Sequence, residues 1–269
     1  MSPASLYVER RPRAALAPYV QCFWALSAQV ASPPDNRVLP DGCLDILVNL
    51  SPSQRAADAR PQVIGTMRTA EVVPLEQGAR FVGIRFRPGG ARPFLSVALN
   101  ELTGTQLCLD TLWPRALADE WTERLLEAPG PEASLEVMEE LLLGRLPLLK
   151  PDAALAHAVQ RIWASRGQVT VESLESTLGV GARQLERRFQ AAVGLAPKVL
   201  CRIARMQHAV EWLKRTPTLP GAQLALAAGY FDQAHLVREF RALVGVSPGA
   251  YARELAPVGF VQSPSVEAL

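Results

Sequence analysis

The chain has 269 residues, a hydrophobic fraction of 49% and a formal net charge of +2. This length allows one or two domains, and the apolar content is sufficient for packed cores. The sequence contains no run of about eighteen apolar residues that could span a membrane. Pro18 and Gln21 interrupt the apolar stretch near the N-terminus, which excludes a typical signal peptide. We therefore expect a cytoplasmic protein that does not contact a membrane.

The thiols and imidazoles are too scattered to predict a metal centre. The four cysteines form no C-x-x-C pair and are Cys22, Cys43, Cys108 and Cys201. The three histidines all follow residue 150 and are His157, His208 and His235. Metal sites need closely spaced ligands. We therefore predict no metal ion and no cofactor, with buried or unreactive thiols. A redox or metal switch between Cys22 and Cys43 is the alternative.

Charge is distributed unequally between the two parts of the chain. Residues 151–256 hold 13 Lys and Arg against 8 Asp and Glu, whereas residues 1–150 hold 15 against 17. A basic module beside a mildly acidic one is typical of a phosphate-binding part that is attached to a part with another role.

The first hundred residues predict short strands. Leu16–Leu26 is an apolar, aromatic segment of helix or strand, and from Arg37 the sequence RVLPDGCLDILVNL joins a P-D-G turn to alternating apolar and polar residues. Further strand candidates are QVIGTM, AEVVPL and ARFVGIRFRP, while RPGGARPF is a predicted loop. Short strands at this spacing favour a small antiparallel barrel or sandwich.

Helical patterns follow from Val97 onward. Ala116–Glu127 and Ser134–Leu143 have helical periodicity with acidic outer faces, which would either form a dimer surface or pack on the barrel. The predicted fold class is α+β, with an N-terminal β-rich barrel or sandwich that carries helices and a C-terminal all-α domain. The predicted boundaries are residues 1–145 for the N-terminal domain, 146–256 for the C-terminal domain and 257–269 for a flexible tail, with a proline-containing linker at 143–155.

A helix-turn-helix pattern occupies about residues 170–194. The apolar positions of its first helix end at Gly179, where a left-handed residue is tolerated, and a second helix begins near Ala182. One face of this second helix is apolar, and the opposite face is cationic and polar.

A shorter version of the same pattern occupies about residues 220–245. Its first helix ends at Gly229, and Asp232 is a good N-cap for the second helix. The predicted helix Lys198–Arg215 joins the two motifs and spans about 27 Å, so it could place the two second helices about one DNA turn, ~34 Å, apart.

This C-terminal stretch resembles the DNA-binding domain of the AraC/XylS family of transcription regulators. The residues that carry the resemblance are Leu185, Arg188, Phe189, Gly194 and Pro197 in the first half, and Ala227, Gly229, Tyr230, Asp232, Leu236, Phe240, Gly245, Val246, Ser247, Pro248 and Tyr251 in the second. The first 150 residues resemble, more loosely, an uncharacterised domain found ahead of this type of DNA-binding domain.

The resemblance implies a sequence-specific transcription regulator that binds double-stranded operator or promoter DNA. RNA polymerase, a small-molecule effector and a second copy of the chain are the further candidate partners. The N-terminal domain would then sense a ligand. A regulator without a ligand, whose N-terminal domain only dimerises, is an alternative.

The two second helices carry the side chains that we expect to contact bases. Arginine can bond to guanine, glutamine to adenine and glutamate to cytosine, and small apolar groups can contact the thymine methyl group. The alternative is an ordinary solvated helix face, which applies to Arg202 as well, or for His235 a structural or phosphate-contacting role. The predicted DNA-binding residues are Arg183, Gln184, Glu186, Arg187, Gln233, Ala234, His235 and Arg238 for bases, with Lys198 and Arg202 for phosphates.

A ligand pocket in the N-terminal domain would need aromatic groups and a few charges. The candidate lining residues are Trp24, Arg37, Asp41, Asp45, Arg85 and Arg87. The alternative is that Trp24 lies in the core and that the charged groups pair with one another or face solvent.

The sequence contains no grouping that is typical of a catalytic site, such as G-x-S-x-G or H-E-x-x-H. We therefore predict that the protein is not an enzyme. The alternative is a DNA-targeted repair enzyme or small-molecule-modifying enzyme that uses the same DNA-binding module. A repair methyl acceptor would need Cys43 or Cys22 as a thiol with a depressed pKa.

Overall fold

The computed structural model describes residues 5–29, 37–52, 59–146 and 152–255. A β-rich part with helices is followed by an all-helical part, which confirms the predicted α+β class. The predicted tail and residues 147–151 of the predicted linker lie outside the described residues, so the domain boundaries stay predictions. Within these ranges, no helix has both the length and the apolar character needed to cross a membrane.

Eight strands form two antiparallel sheets in the described part of the chain. Six of them lie in the order β1-β2-β7-β4-β5-β8, and β3 pairs with β6. The strands are β1 (Ser5–Arg10), β2 (Val20–Ala28), β3 (Arg37–Val38), β4 (Leu44–Asn49), β5 (Gln62–Ile64), β6 (Glu71–Val72), β7 (Arg80–Phe86) and β8 (Gln106–Cys108). The six-stranded sheet is open, since β1 and β8 form its two edges.

Alternation along the central strands gives the large sheet two different faces. Phe23, Ile46 and Ile84 are fully buried on one face, in the same core as Trp121 and Met138. These two residues belong to the helices that cover this face. The helices of the N-terminal part are α1 (Arg92–Leu95), α2 (Arg115–Glu127) and α3 (Pro131–Leu143).

Some N-terminal elements differ from the sequence prediction. The sequence indicated no strand at residues 5–10, yet β1 pairs with β2 over its full length. The predicted loop at 87–94 ends in the short helix α1, which has a proline in its first turn. Both elements depend on pairing or packing with distant residues, and local periodicity does not reveal such partners.

Seven helices make up the described C-terminal part. They are α4 (Ala153–Ala164), α5 (Val171–Leu178), α6 (Ala182–Val193), α7 (Pro197–Arg215), α8 (Gly221–Ala227), α9 (Gln233–Val244) and α10 (Pro248–Glu254). The helix-turn-helix pairs α5–α6 and α8–α9 confirm the two predicted motifs. Gly179 has φ 64°, as the predicted left-handed turn requires. The Asp232 side chain caps α9 by accepting a 2.6 Å hydrogen bond from the backbone N–H of His235.

Both motifs pack on α7 in one hydrophobic core. Leu185 and Phe189 of α6 and Leu236 and Phe240 of α9 are at most 1% exposed. They share this core with apolar side chains of α7. Burial of one stripe on each helix leaves the opposite faces of α6 and α9 exposed to solvent.

The helix α3 also has an acidic residue, Glu139, on its buried face. Its side chain is 2% exposed and lies 2.8 Å from the Arg10 guanidinium and 3.2 Å from that of Arg13. It also accepts a 2.6 Å hydrogen bond from the backbone N–H of Arg13. Glu139 thus connects α3 to the chain at the end of β1, which the helical pattern did not predict.

We expect Glu139→Ala to lower the free energy of unfolding by about 2–3 kcal/mol, because it removes the buried partner of the half-buried Arg10 guanidinium and of the backbone N–H of Arg13. Glu136→Ala, on the same helix, is the matched control. Its side chain is 64% exposed and pairs with Arg10 at 3.5 Å, so we expect a loss within about 0.5 kcal/mol. Urea unfolding followed by circular dichroism measures both. Equal losses would contradict the role given to Glu139.

Candidate functional site

The outer face of α6 is formed by polar and charged side chains. Arg183, Gln184, Glu186 and Arg187 are all exposed, and the amide of Gln190 donates a 3.2 Å hydrogen bond to Glu186. The structure therefore brings the four predicted α6 residues together on one accessible surface. We call this surface the α6 face.

The corresponding surface of α9 contains Gln233, Ala234 and Arg238, which are exposed. His235 is half-buried, and its Nδ1 lies 3.4 Å from the backbone N–H of Phe231 while its ring packs edge-on against Tyr230. These contacts favour a structural role for His235. The three exposed residues form the α9 face.

The side chain of Gln233 lies close to the first residue of α8. A Cβ atom at Gly221 would come within 2.7 Å of the Gln233 amide nitrogen. A glycine at this position therefore lets Gln233 lie against α8, and the sequence analysis gave no indication of this contact.

The two predicted phosphate-binding residues differ in their surroundings. Lys198 is exposed in the first turn of α7. Arg202 is held by Glu239 of α9, with the guanidinium Nε at 2.6 Å and Nη2 at 3.1 Å from the carboxylate oxygens. This ion pair connects α7 to α9 and partly neutralises the charge that a phosphate would bind.

The N-terminal part donates hydrogen bonds to the ends of both α6 and α9. Two of these donors lie in residues 64–73, which we call the bridging segment. The Thr66 hydroxyl donates to the carbonyl of Val193 at 3.0 Å, and the backbone N–H of Ala70 donates to the carbonyl of Leu243 at 2.7 Å. The last carbonyl groups of a helix have no partner within the helix, so they accept hydrogen bonds from outside it.

Two further contacts reinforce this connection. Arg37 of β3 donates to the carbonyl of Val244 at 3.2 Å and pairs with Glu254 of α10 at 3.3 Å. The Thr103 hydroxyl donates to the carbonyl of Gly194 at 2.7 Å.

Gly194 ends α6 at a close approach of the two parts. Its φ is +85°, and a Cβ atom there would lie 2.8 Å from the Thr103 hydroxyl and 3.1 Å from the carbonyl of Leu99. Glycine is therefore required both by the backbone conformation and by the close contact.

A cavity of about 410 Å³ lies over the second face of the large sheet. It is lined by residues of both sheets, by the bridging segment, and by Gln207 and Lys214 of α7. The lining includes five of the six residues predicted for a ligand pocket: Trp24, Arg37, Asp41, Asp45 and Arg85. Arg87 is not among the lining residues, and its guanidinium donates a 2.9 Å hydrogen bond to the carbonyl of Ala17.

One end of the cavity holds a cluster of charged groups. The Arg85 Nε lies 3.4 Å from Asp45 and 3.6 Å from Asp41. The indole N–H of Trp24 donates a 3.2 Å hydrogen bond to Asp45. Burial raises the pKa of Asp45, and the charge of Asp41 raises it further, whereas Arg85 acts in the opposite direction.

Comparison with protein families assigns the two parts of the chain separately. Residues 174–254 match a family described as a helix-turn-helix domain, and residues 8–108 match a domain of unknown function (DUF6597). The fold and this match together define a tandem helix-turn-helix protein. This match confirms the resemblance of the C-terminal part to the DNA-binding domain of AraC/XylS-type regulators.

Relatives with curated descriptions match over limited lengths. The HTH-type transcriptional regulator MtrA of Neisseria gonorrhoeae is 29% identical over 104 residues, which are 38% of this chain and 34% of that protein. A probable bifunctional transcriptional activator/DNA repair enzyme AlkA of Mycobacterium tuberculosis is 47% identical over 60 residues, which are 22% of this chain and 12% of that protein. The chain thus matches about a third or less of the length of these relatives.

A similar solved structure is the DNA-binding domain of the global transcriptional factor AdpA in complex with a target DNA. It is 27% identical, with a TM-score of 0.35, and the match covers 38% of this chain and 91% of that domain.

We expect Thr66→Val to lower the free energy of unfolding by about 1–3 kcal/mol, because it leaves the buried carbonyl of Val193 without its donor. Thr111→Val is the matched control. The Thr111 hydroxyl also donates to a backbone carbonyl, that of Cys108 at 2.7 Å, but this bond is exposed. Chemical unfolding of the full chain compares the two. A loss for Thr66→Val no larger than that for Thr111→Val would argue against a connecting role for the bridging segment.

Proposed function

We propose that this chain is a sequence-specific DNA-binding transcription regulator. The observation that carries the proposal is the pair of exposed polar faces on α6 and α9, held by a single helix. The 19 residues of α7 span about 28 Å at 1.5 Å per residue, close to the ~34 Å that separates successive major-groove segments on one side of DNA.

The α6 face provides the groups needed to contact base edges. Arg183 and Arg187 can each bond to guanine O6 and N7 through two N–H groups, and Glu186 can accept from cytosine N4. Gln184 can bond to a base or to a phosphate oxygen. The exposure of all four side chains supports this role.

The α9 face is smaller and less charged. Gln233 suits adenine, Arg238 suits guanine or phosphate, and Ala234 can contact a thymine methyl group. His235 supports the turn between α8 and α9 through its contacts with Phe231 and Tyr230, and we assign it at most a contact with the DNA backbone.

The remaining partners follow from the family. We propose double-stranded operator or promoter DNA and RNA polymerase as partners, with a second copy of the chain as a further candidate. The proposed N-terminal domain, residues 1–145, senses a small molecule, and the proposed C-terminal domain, residues 146–256, binds DNA. A ligand can act only by favouring one arrangement of the two domains over another.

The state of the thiols weighs against the repair alternative. Burial raises the pKa of Cys43 and of Cys22. A methyl acceptor reacts as the thiolate, which a raised pKa disfavours at neutral pH.

Selection of genomic DNA fragments by the purified full chain, at two salt concentrations, tests the proposal. We expect a two-part motif with half-elements about one helical turn apart. On the selected site, Arg183→Ala and Gln233→Ala should each cost about 1–3 kcal/mol and relax the base preference. The control is Arg115→Ala on α2, whose side chain is 69% exposed. Two outcomes would contradict the proposal. One is binding that depends on salt but not on DNA sequence, and the other is an unchanged base preference in both variants.

We expect Arg202→Ala to weaken binding to all sequences alike and to reduce the salt dependence by about one phosphate contact. Glu239→Gln is the matched variant, because it frees Arg202 from its carboxylate partner and should leave non-specific affinity unchanged or raised. Titration of the selected site and of a scrambled fragment across a salt series measures both. A changed base preference in Arg202→Ala would show that the residue acts by positioning α9.

A further inference from the structure

The strand register gives the cavity a polar end and an apolar end. On β7, Phe81, Gly83 and Arg85 lie on the same side of the sheet, and Phe81 and Arg85 line the cavity. Their partners on β2 and β4 are Leu26 and Asn49 for Phe81, Trp24 and Leu47 for Gly83, and Cys22 and Asp45 for Arg85. The cavity therefore changes from mainly apolar to charged over the length of three residue pairs.

The middle of this gradient is aromatic. A Cβ atom at Gly83 would come within 2.5 Å of the Trp24 ring, so the absence of a side chain lets the indole lie across β7. Tyr7 stacks on the same indole, with ring centroids 6.3 Å apart. Aromatic faces attract cations as well as apolar groups.

The lining as a whole has three carboxylates and three cations, but at the polar end two of the carboxylates lie beside a single cation. Asp41 and Asp45 share one guanidinium, that of Arg85. Of the other two cations that line the cavity, Arg37 forms an ion pair with Glu254, and Lys214 belongs to α7. One further positive charge near Asp45 would balance the second of the two carboxylates that Arg85 contacts.

We propose that the cavity binds a small amphipathic cation, an amine with an apolar body, whose ammonium group lies beside Asp41 and Asp45 and whose body lies against Leu47 and Phe81. A volume of about 410 Å³ lies within the range of small-molecule sites. An anionic ligand of the same shape, bound in the same orientation, would place its charge next to two carboxylates.

The position of the site also gives it a route to the DNA-binding surface, a consequence that rests on the proposed function. Ile64, Met67 and Glu71 of the bridging segment line the cavity, and Thr66 and Ala70 of the same segment hold the ends of α6 and α9. Arg37 does both, since it lines the cavity and donates to Val244. A ligand that moves this wall changes the donors at both helix ends.

Calorimetric titration of the full chain with three probes of one shape tests the site. The probes are phenylbutylamine, phenylbutanol and phenylbutyrate. We expect saturable binding of the amine, at least about tenfold tighter than that of the acid, with the alcohol between them. Equal or tighter binding of the acid, or saturable binding of none of the three, would overturn the proposal.

Asp45→Asn should reduce the affinity for the amine about tenfold and leave that for the alcohol unchanged. The control is Asp119→Asn on α2, whose carboxylate is 48% exposed and pairs with Arg115. Leu47→Phe fills the middle of the cavity and should abolish binding of both probes, which keeps the test valid if Asp45→Asn does not fold. Amine binding that survives both substitutions would place the amine elsewhere.

The regulatory step is measured separately, as the affinity for the selected DNA with and without saturating amine. We expect a change of about fivefold or more, and no change would overturn the coupling while leaving the site in place. Amine binding is measured without DNA, and fragment selection is performed without amine. Failure of the cation site is therefore distinguishable from failure of the proposed DNA-binding function.

Discussion

The ends of α6 and α9 set the main constraint on this structure. A helix that exposes one face to solvent still has carbonyl groups at its C-terminus that need donors. Here the donors are Thr66, Ala70 and Arg37, which all belong to the N-terminal part. The helix α7 positions the two motifs from within their own core, and the bridging segment fixes the same two helices from outside it. Their relative placement therefore depends on the N-terminal part.

The large sheet offers a place where a ligand could change the relative placement of α6 and α9. One face is covered by α2 and α3 and forms an apolar core, while the other face borders a cavity whose opposite wall includes the bridging segment. Strand alternation alone separates the two roles, since Ile46 faces the core and its neighbour Asp45 faces the cavity. A wall that packs on a cavity can shift at lower cost than one packed in a core. The proposed site therefore lies where small movements reach α6 and α9.

Local sequence patterns were sufficient to predict the two helix-turn-helix motifs of the C-terminal part. The features that they did not predict depend on contacts between residues far apart in the sequence. Gly179 and Asp232 act within a few residues of their own helices, so the turn and the cap could be predicted. By contrast, β1 exists because it pairs with β2, and Glu139 is buried because Arg10 and Arg13 reach it from more than a hundred residues away. Five of six cavity residues were named from their chemistry, but the contacts of the bridging segment could not be predicted because they depend on how the two parts pack.

The most direct test of this account measures how rigidly α6 and α9 are held relative to each other. The affinity of the full chain is determined for a selected two-part DNA site and for versions with base pairs inserted between the half-elements. An insertion of about five base pairs, half a helical turn, moves the second half-element to the opposite side of the DNA. The account predicts that affinity falls to that of a single half-element. Unchanged affinity would show that the two helices move independently and would contradict the constraint described above.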